Sequence, residues 1–320
     1  MRNDSFLCRA LYYFFAVPFR ALRGLCLCKR LFPDSRILYV VPYQGIGDIM
    51  ATLGSLREYV KKNGFQSAKV FYTKAYSELC SFYDFDFAEK DEISVRDYRM
   101  LARFFCTWFG LSSLKKKRNV LFTDTWAYLS WNWEMAFSMR NFGVFRFIRE
   151  GIMGLGECGE IERPCIPEIL KEELPIPCDG RRIAVLNPHS KTILISDSKA
   201  FYQKLAKRLA GMGYFVLSDC GRDGLDDAVE GTTGFRGNLA ESFNLCRHAD
   251  LVIGTRSGWL DLMALSGAKV VAVYGDDVHS GVFMNAFDIG ESGRMCGMDA
   301  DKFFQVKAGE FFRSSMLWYL

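Results

Sequence analysis

Residues His248 to Gly275 read HADLVIGTRSGWLDLMALSGAKVVAVYG, and this stretch decides the fold. Asp250 to Ile253 is a short apolar run with β-branched residues, which predicts a strand. Gly254-Thr255-Arg256-Ser257-Gly258 is a turn, Trp259 to Ser266 has helical spacing, and Gly267 ends it. Lys269 to Tyr274 is a second apolar strand. Two apolar strands joined by a helix of this length form a βαβ unit, so the sheet is expected to be parallel. In such sheets ligands bind beyond the carboxyl ends of the strands. A helix starting at Ser257-Gly258 aims free N–H groups and a dipole at the turn, and Arg256 adds a fixed positive charge. The turn is thus a candidate phosphate or diphosphate seat. The alternative is an ordinary βα turn carrying an arginine.

Upstream of this unit the same pattern repeats. Arg182–Leu186 (RIAVL) is a predicted strand, Asn187 to Thr192 a polar turn, Lys199–Met212 an amphipathic helix, and Tyr214–Ser218 (YFVLS) a strand. A helix then starts after Gly237 and runs to His248. Further back, Arg36–Pro42 (RILYVVP) is a strand that enters the turn Tyr43-Gln44-Gly45-Ile46-Gly47-Asp48. A helix over 49–63 follows, closed by Gly64, then the strand Ala68–Tyr72. Gly45 and Gly47 allow close backbone approach to a ligand. Asp48 at the mouth of the turn either caps its helix or faces a cleft as a general base. Between the halves, Pro164, Pro167, Pro175 and Pro177 mark a linker. The expected organisation is an N-terminal segment over 1–35, an α/β domain over 36–160, a linker over 161–181, a second α/β domain over 182–300 and a terminal helix over 301–320.

Composition narrows the class. In 320 residues, 50% are hydrophobic and 15% aromatic, ample for real cores. A net charge of +4 is too small to imply a nucleic-acid partner. The 11 cysteines follow no zinc or redox spacing and fit a reducing compartment, and 3 histidines argue against a histidine-built metal site. No nucleophile elbow, P-loop or kinase set is present. The turn GIGDIM lacks the third glycine and distal acid of a dinucleotide fingerprint, which disfavours a nicotinamide enzyme.

Residues 6–32 interleave Arg9, Arg20, Arg23, Lys29 and Arg30 with aromatics and leucines. The longest uncharged run, Ala10 to Phe19, is too short to span a bilayer, and no small-residue cleavage site follows it. The pattern suits a helix lying in a membrane interface; the alternative is a helix packed on the protein's own core. Residues 97–118, ending in Lys115 to Arg118, and residues 126–149 are also aromatic-rich. They are read either as an apolar face with a basic rim or as helices packed on the sheet.

Three stretches together resemble one family: GIGDIMATLGSLREYVKK at 45–62, LNPHSK with SKAFYQKLAKRLAGMGYFVL within 186–217, and NLAESFNLCRHADLVIGTRSGWLDLMALSGAKVVAVYG at 238–275. Their order and spacing are similar to the heptosyltransferase-related glycosyltransferases, glycosyltransferase family nine and its relatives. Where heptosyltransferases usually carry aspartate-serine-glycine, this chain has Arg256-Ser257-Gly258 with Asp261 in the following helix, an R-S-G-x-x-D version of the turn.

The resemblance implies a GT-B fold: two Rossmann-like α/β domains with parallel sheets facing across a cleft. It implies inverting transfer of a sugar from a nucleotide-sugar to a cell-envelope polysaccharide or lipid-linked glycan. Asp48 matches the family's catalytic base. Ser257 and Gly258 match the diphosphate turn, and Lys191 lies near a donor-phosphate cation; Arg256 has no counterpart in the heptosyltransferase pattern and is placed on the donor side, with Asp261, by its position in the turn. Cations and a helix dipole are expected to stabilise the leaving diphosphate without a metal or other cofactor. The expected setting is cytoplasmic, peripheral on the inner membrane surface. Two alternatives stay open: a nucleotide-sugar epimerase on the same fold, and a non-catalytic membrane-associated GT-B module.

Overall fold

The computed structural model describes residues 17–106, 110, 119–124, 143–156, 159–174, 176, 180–190, 193–221, 227–276, 284 and 287–313. The chain opens with helix α1 (Val17–Leu31) and strand β1 (Leu38–Pro42), then α2 (Ile46–Gly54), α3 (Leu56–Asn63) and β2 (Ala68–Tyr72). A 3-10 turn over Lys74–Tyr76 leads to α4 (Ser77–Ser81), β3 (Ala88–Glu92), α5 (Val95–Phe105) and β4 (Val120–Thr123). The strands pair in parallel in the order β3-β2-β1-β4. Strand β1 is buried along its whole length, as its uninterrupted apolar run requires of a central parallel strand.

The helix expected over 49–63 is two helices. Its break at Ser55 follows from the linker: an ideal Cβ on Gly54 would lie 2.0 Å from Ile161 Cγ2, and the Gly54 carbonyl accepts from Glu162 N–H at 2.8 Å. Gly64 closes α3 in the left-handed region at φ 71°, as its position predicts.

The second sheet begins with β5 (Ile183–Asn187). It continues through α6 (Ser198–Gly211), β6 (Phe215–Asp219), β7 (Thr233–Phe235), α7 (Leu239–Arg247), β8 (Leu251–Thr255), α8 (Gly258–Met263) and β9 (Lys269–Tyr274). Helix α9 (Ile289–Met295), strand β10 (Phe303–Lys307) and helix α10 (Ala308–Phe311) complete the described chain. All pairings are parallel, in the order β10-β9-β8-β5-β6-β7. The first strand, β5, lies between the second and fourth strands of its sheet, so the order reverses there. This is the doubly wound topology, with its ligand crevice beyond the carboxyl ends of β5 and β8.

One expectation is corrected at the carboxyl end. Residues 301–320 do not begin as a terminal helix: Phe303 to Lys307 pair in register with Val270 to Tyr274 as the edge strand β10. Helix α10 follows and buries Phe311 beside Tyr202 and Leu205 of the second domain.

Helix α1 packs on α5. An ideal Cβ on Gly24 would meet Phe104 at 2.5 Å, so the two helices cross closely there. Leu27, Cys28 and Phe32 join a core with Tyr39, Phe71, Leu101 and Phe122 on one face of the first sheet. The described part of the N-terminal segment therefore has one face on the protein's own core, as does α5 through Tyr98, Leu101, Phe104 and Phe105. Residues 107–109, 111–118 and 125–142, with most of the basic and aromatic stretches singled out above, lie outside the described residues.

A single apolar core runs through both halves, joining Leu38, Ile49, Met50 and Leu53 to Leu260, Met263, Tyr274 and Ile289. The proline-marked stretch is stitched to both sides. Cys165 N–H donates to Phe82 O at 2.7 Å, Ile161 N–H to Met295 O at 2.8 Å, and Asn244 Nδ2 to Pro167 O at 2.8 Å.

Candidate functional site

The carboxyl edges of the two sheets face each other across a cavity of about 730 Å³. Its wall from the second domain carries Asn187 at the end of β5, Asp219 at the end of β6, Asn238 and Ser242 at the start of α7, and Trp259 on α8. Lys74, Ser77 and Glu78, which follow β2, close it from the first domain. Each comes from a strand end or helix start, the positions a parallel sheet offers to a ligand. His189 lies in the same wall, its backbone N–H donated to Asn187 Oδ1 at 3.1 Å.

Asp219 is the buried acid of this wall, 2% exposed. Burial pushes its carboxyl above the ordinary range, against the pull of the Gly221 N–H, Ser242, Trp259 and His189. One oxygen accepts from Gly221 N–H at 2.9 Å; the other has no well-formed hydrogen bond among the described residues. A buried acceptor bordered by Ser242 and Trp259 in a polar cavity is suited to a ligand hydroxyl or amine.

Glu78 reaches across the domain boundary. Its two oxygens accept from Leu239 N–H at 3.1 Å and Ala240 N–H at 2.9 Å, the first free donors of α7. The third donor, Glu241 N–H, goes to Asn238 Oδ1 at 2.9 Å in a capping box. A carboxylate from one domain thus sits on the helix dipole of the other.

The two glycine turns meet each other. Helix α2 starts at Ile46, so Gly47 is already in its first turn. An ideal Cβ on Gly258 would lie 2.8 Å from Gly47 N, and one on Gly47 would lie 2.5 Å from Asp261 Oδ2. The close approach that these glycines permit is thus between the domains, and the start of α8 is covered by α2.

Arg256 and Asp261 take a different place from the one expected. They form a buried pair, 2% and 3% exposed, with Nη2 to Oδ1 at 2.7 Å and Nη1 to Oδ2 at 3.1 Å. Arg256 also donates to Phe287 O at 2.6 Å and to Ser257 O at 2.5 Å. Burial opposes both charges; Asp261 keeps Arg256 firmly protonated, while burial holds the Asp261 carboxyl above its ordinary range despite Arg256. With its donors engaged, Arg256 faces the interior and does not present a guanidinium to the cavity. Asp261 likewise serves the pair. The Ser257 hydroxyl is buried at the start of α8 with no partner among the described residues.

Asp48 lies in the first turn of α2, half-buried, with Oδ2 close to Gly45. It is near enough to Tyr76 and Tyr98 to help raise both phenols. Burial is the larger cause in each, and brings Tyr76 to about 12. Gln44 braces the turn: Tyr76 donates to its carbonyl at 2.6 Å, its N–H donates to Tyr98 Oη at 3.3 Å, and its Oε1 accepts from Thr73 N–H at 2.9 Å. Asp48 thus stands beside Tyr76, next to the cavity-lining Ala75. Asp48 itself is not among the residues that line the cavity.

Lys191 lies outside the described residues, but its loop is fixed on both sides. Ser190 Oγ donates to Arg256 O at 3.0 Å and accepts from Ile193 N–H at 3.1 Å. Asp276, just beyond β9, accepts from Gly309 N–H at 2.8 Å in the first turn of α10. The described residues hold no cluster of three or more His, Cys, Asp or Glu side chains placed for a metal ion. Sequence reasoning missed Glu78, Asp219, His189 and Trp259. Two left a local signal: Asp219, an acid directly ending an apolar strand, and His189, in the polar turn that follows RIAVL.

No family model matches the sequence. No curated protein matches it either. Among solved structures, a glycosyl transferase family 9 protein from Veillonella parvula aligns over 86% of this chain and 87% of its own, at 11% identity and a TM-score of 0.50. The chain has the GT-B fold. Two E. coli structures are also similar. ADP-heptose LPS heptosyltransferase II aligns at 14% identity over 76% of this chain and 86% of its own, with a TM-score of 0.49. Heptosyltransferase WaaC with ADP aligns at 11% identity over 85% and 93%, also at 0.49. At these identities the likeness is one of fold. The group is the one that the sequence motifs resemble.

Proposed function

We propose that this GT-B protein is a glycosyltransferase that takes a sugar from a nucleotide-sugar and passes it, with inversion, to a cell-envelope or lipid-linked glycan. The observation that carries this reading is the polar cavity between the two carboxyl edges, walled by Asp219, His189, Asn187 and Trp259 on one side and Lys74 on the other. Its volume of about 730 Å³ suits a small-molecule ligand. The donor binds against β5, β6 and α8. Lys74 offers the cavity-facing charge that Arg256 does not, and Lys191 is the second cation proposed for the leaving diphosphate. Asp48, beside Tyr76, takes the proton from the acceptor hydroxyl as it attacks the anomeric carbon. Enclosure between the domains holds donor and acceptor together.

Thermal unfolding with ADP, GDP, UDP, CDP and dTDP tests this. One nucleotide at about 100 times its Kd is expected to add roughly 2.7 kcal/mol of stability. Lys74→Glu, at an exposed position of the cavity wall, is expected to weaken that nucleotide at least tenfold. A flat response to all five in the wild-type chain overturns the donor site.

A second reading draws on the same wall. A nucleotide-sugar epimerase needs acids and a histidine around the donor sugar, and Asp219, Glu78 and His189 line this cavity. Incubation of the stabilising nucleotide's sugar conjugates in deuterated water, with and without a glycan acceptor, separates the two. Deuterium entering the sugar ring means epimerisation; acceptor-dependent loss of the conjugate with no exchange means transfer.

A further inference from the structure

Helix α1 has two apolar stripes, and the fold uses only one. The inner stripe is Gly24, Leu27, Cys28 and Leu31, spaced i, i+3, i+4, i+7 and packed towards α5 and the sheet. The outer stripe is shorter: Leu22, Leu25 and Cys26, at i, i+3 and i+4, are all exposed, the two leucines at 61% and 41%. The partner helix adds Val95 at 49%. Three of the five large hydrophobic side chains exposed among the described residues therefore belong to this one helix pair.

The charge around them has one sign. Arg23, Lys29, Arg30, Arg96, Arg99 and Arg103 are exposed on α1 and α5. Helix α1 has no acid, and the single acid of α5, Asp97, is paired with Arg30 at 3.1 Å. Aliphatic side chains among cations match the boundary between acyl chains and anionic headgroups. No described helix is long and apolar enough to cross a membrane, so the fit is to a helix pair lying in the plane of the surface.

We propose that the α1–α5 pair is the face by which this protein docks on an anionic lipid bilayer, with Leu22 and Leu25 inserted and the six cations over the headgroups. The pair does not detach to do so, because Gly24 and Leu27 hold α1 to the core. Docking places the N-terminal sheet edge near the bilayer: Tyr98 of α5 receives a hydrogen bond from Gln44 N–H, in the turn before Asp48. A glycan carried on a lipid would then meet the cleft from the surface that anchors it.

Co-sedimentation of the full chain with vesicles tests the proposal, using phosphatidylcholine alone and phosphatidylcholine mixed with phosphatidylglycerol. The chain is expected to pellet with the mixed vesicles, less so at high salt, and not with phosphatidylcholine alone. Leu22→Glu/Leu25→Glu is expected to abolish pelleting. Arg99→Glu and Arg103→Glu are each expected to weaken it by at least about fivefold. Leu194→Glu, at a leucine 73% exposed elsewhere, is the control expected to pellet as wild type. All are surface changes, and an unchanged thermal midpoint confirms that each variant is folded. Failure of the wild-type chain to pellet, or pelleting of the double leucine variant like wild type, overturns the proposal. Nucleotide binding is read separately, so either result leaves the donor-site test untouched.

Discussion

Asp261 shows how a residue grouped with a ligand site becomes part of the scaffold. Its carboxylate is pinned by two guanidinium nitrogens of Arg256 and backs directly onto Gly47 of the other domain. Removing one partner strands the other's charge in a dry interior, which typically costs about 3–5 kcal/mol. Asp261→Asn is therefore expected to lower the unfolding free energy measured in urea by that order. Asp261→Leu with Arg256→Met, which discards both charges, is expected to lose much less. Equal losses in the single and double variants would remove the ion pair from the account. Asp219 predicts a pH dependence. Burial raises its carboxyl above the ordinary 3.8, so the folded chain holds this proton more tightly than the unfolded chain. The resulting stability is complete below 3.8 and is lost as pH rises through the raised value. Asp219→Asn stays neutral throughout. It should be more stable than wild type at neutral pH, with the difference fading towards about pH 4. A difference independent of pH, measured by urea unfolding at both ends, would mean that the carboxyl titrates alike in the folded and unfolded chains.

The elements explain what the sequence made legible. Every interior strand was readable: RILYVVP, AKVFY, RIAVL, YFVLS, DLVI and KVVAVY each overlap one, three of them ending one or two residues short of it. Interior parallel strands are covered on both faces and so appear as apolar runs. The four edge strands, β3, β4, β7 and β10, were not readable. Strand β3 is AEKDE, without an apolar run, and β4 and β7 are four and three residues long. The site was half legible for a related reason. Each glycine turn was recognisable locally, but nothing local says that Gly47 meets Asp261 or that Glu78 meets α7. Glu78 supplies the prediction at this scale. Glu78→Ala leaves Leu239 and Ala240 N–H without their acceptor and removes a negative charge from the α7 dipole, a loss of about 1 kcal/mol. Hydrogen exchange of a peptide spanning Leu239 and Ala240 should accelerate, while one spanning β8 should not. Unchanged exchange at both amides would mean that the contact across the cleft contributes nothing to holding it shut.

At the scale of the whole molecule, the two sheets argue for independent domains and the core argues against it. Relative motion is the default for two domains unless their interface is large and apolar. Here Ile49, Met50 and Leu53 of α2 lie in one cluster with Leu260 and Met263 of α8, and the linker adds Ile161, Leu174 and Ile176. None of these is more than 6% exposed. Separating the domains would expose that surface at about 25 cal/mol for each Å² and would leave the Arg256–Asp261 pair beside water. Neither half is then expected to survive the unfolding of the other. Scanning calorimetry should give one endotherm, with calorimetric and van't Hoff enthalpies equal. Met263→Ala, which hollows the shared core from the second domain, should lower that single midpoint by the equivalent of about 2–5 kcal/mol without splitting it. Two endotherms, with only one moved by Met263→Ala, would show that the sheets unfold separately and that the cleft can open about the linker. A single endotherm would mean that the shared core holds the domains together, leaving the cavity side, where Glu78 bonds the first two amides of α7, as the place where a smaller movement can occur.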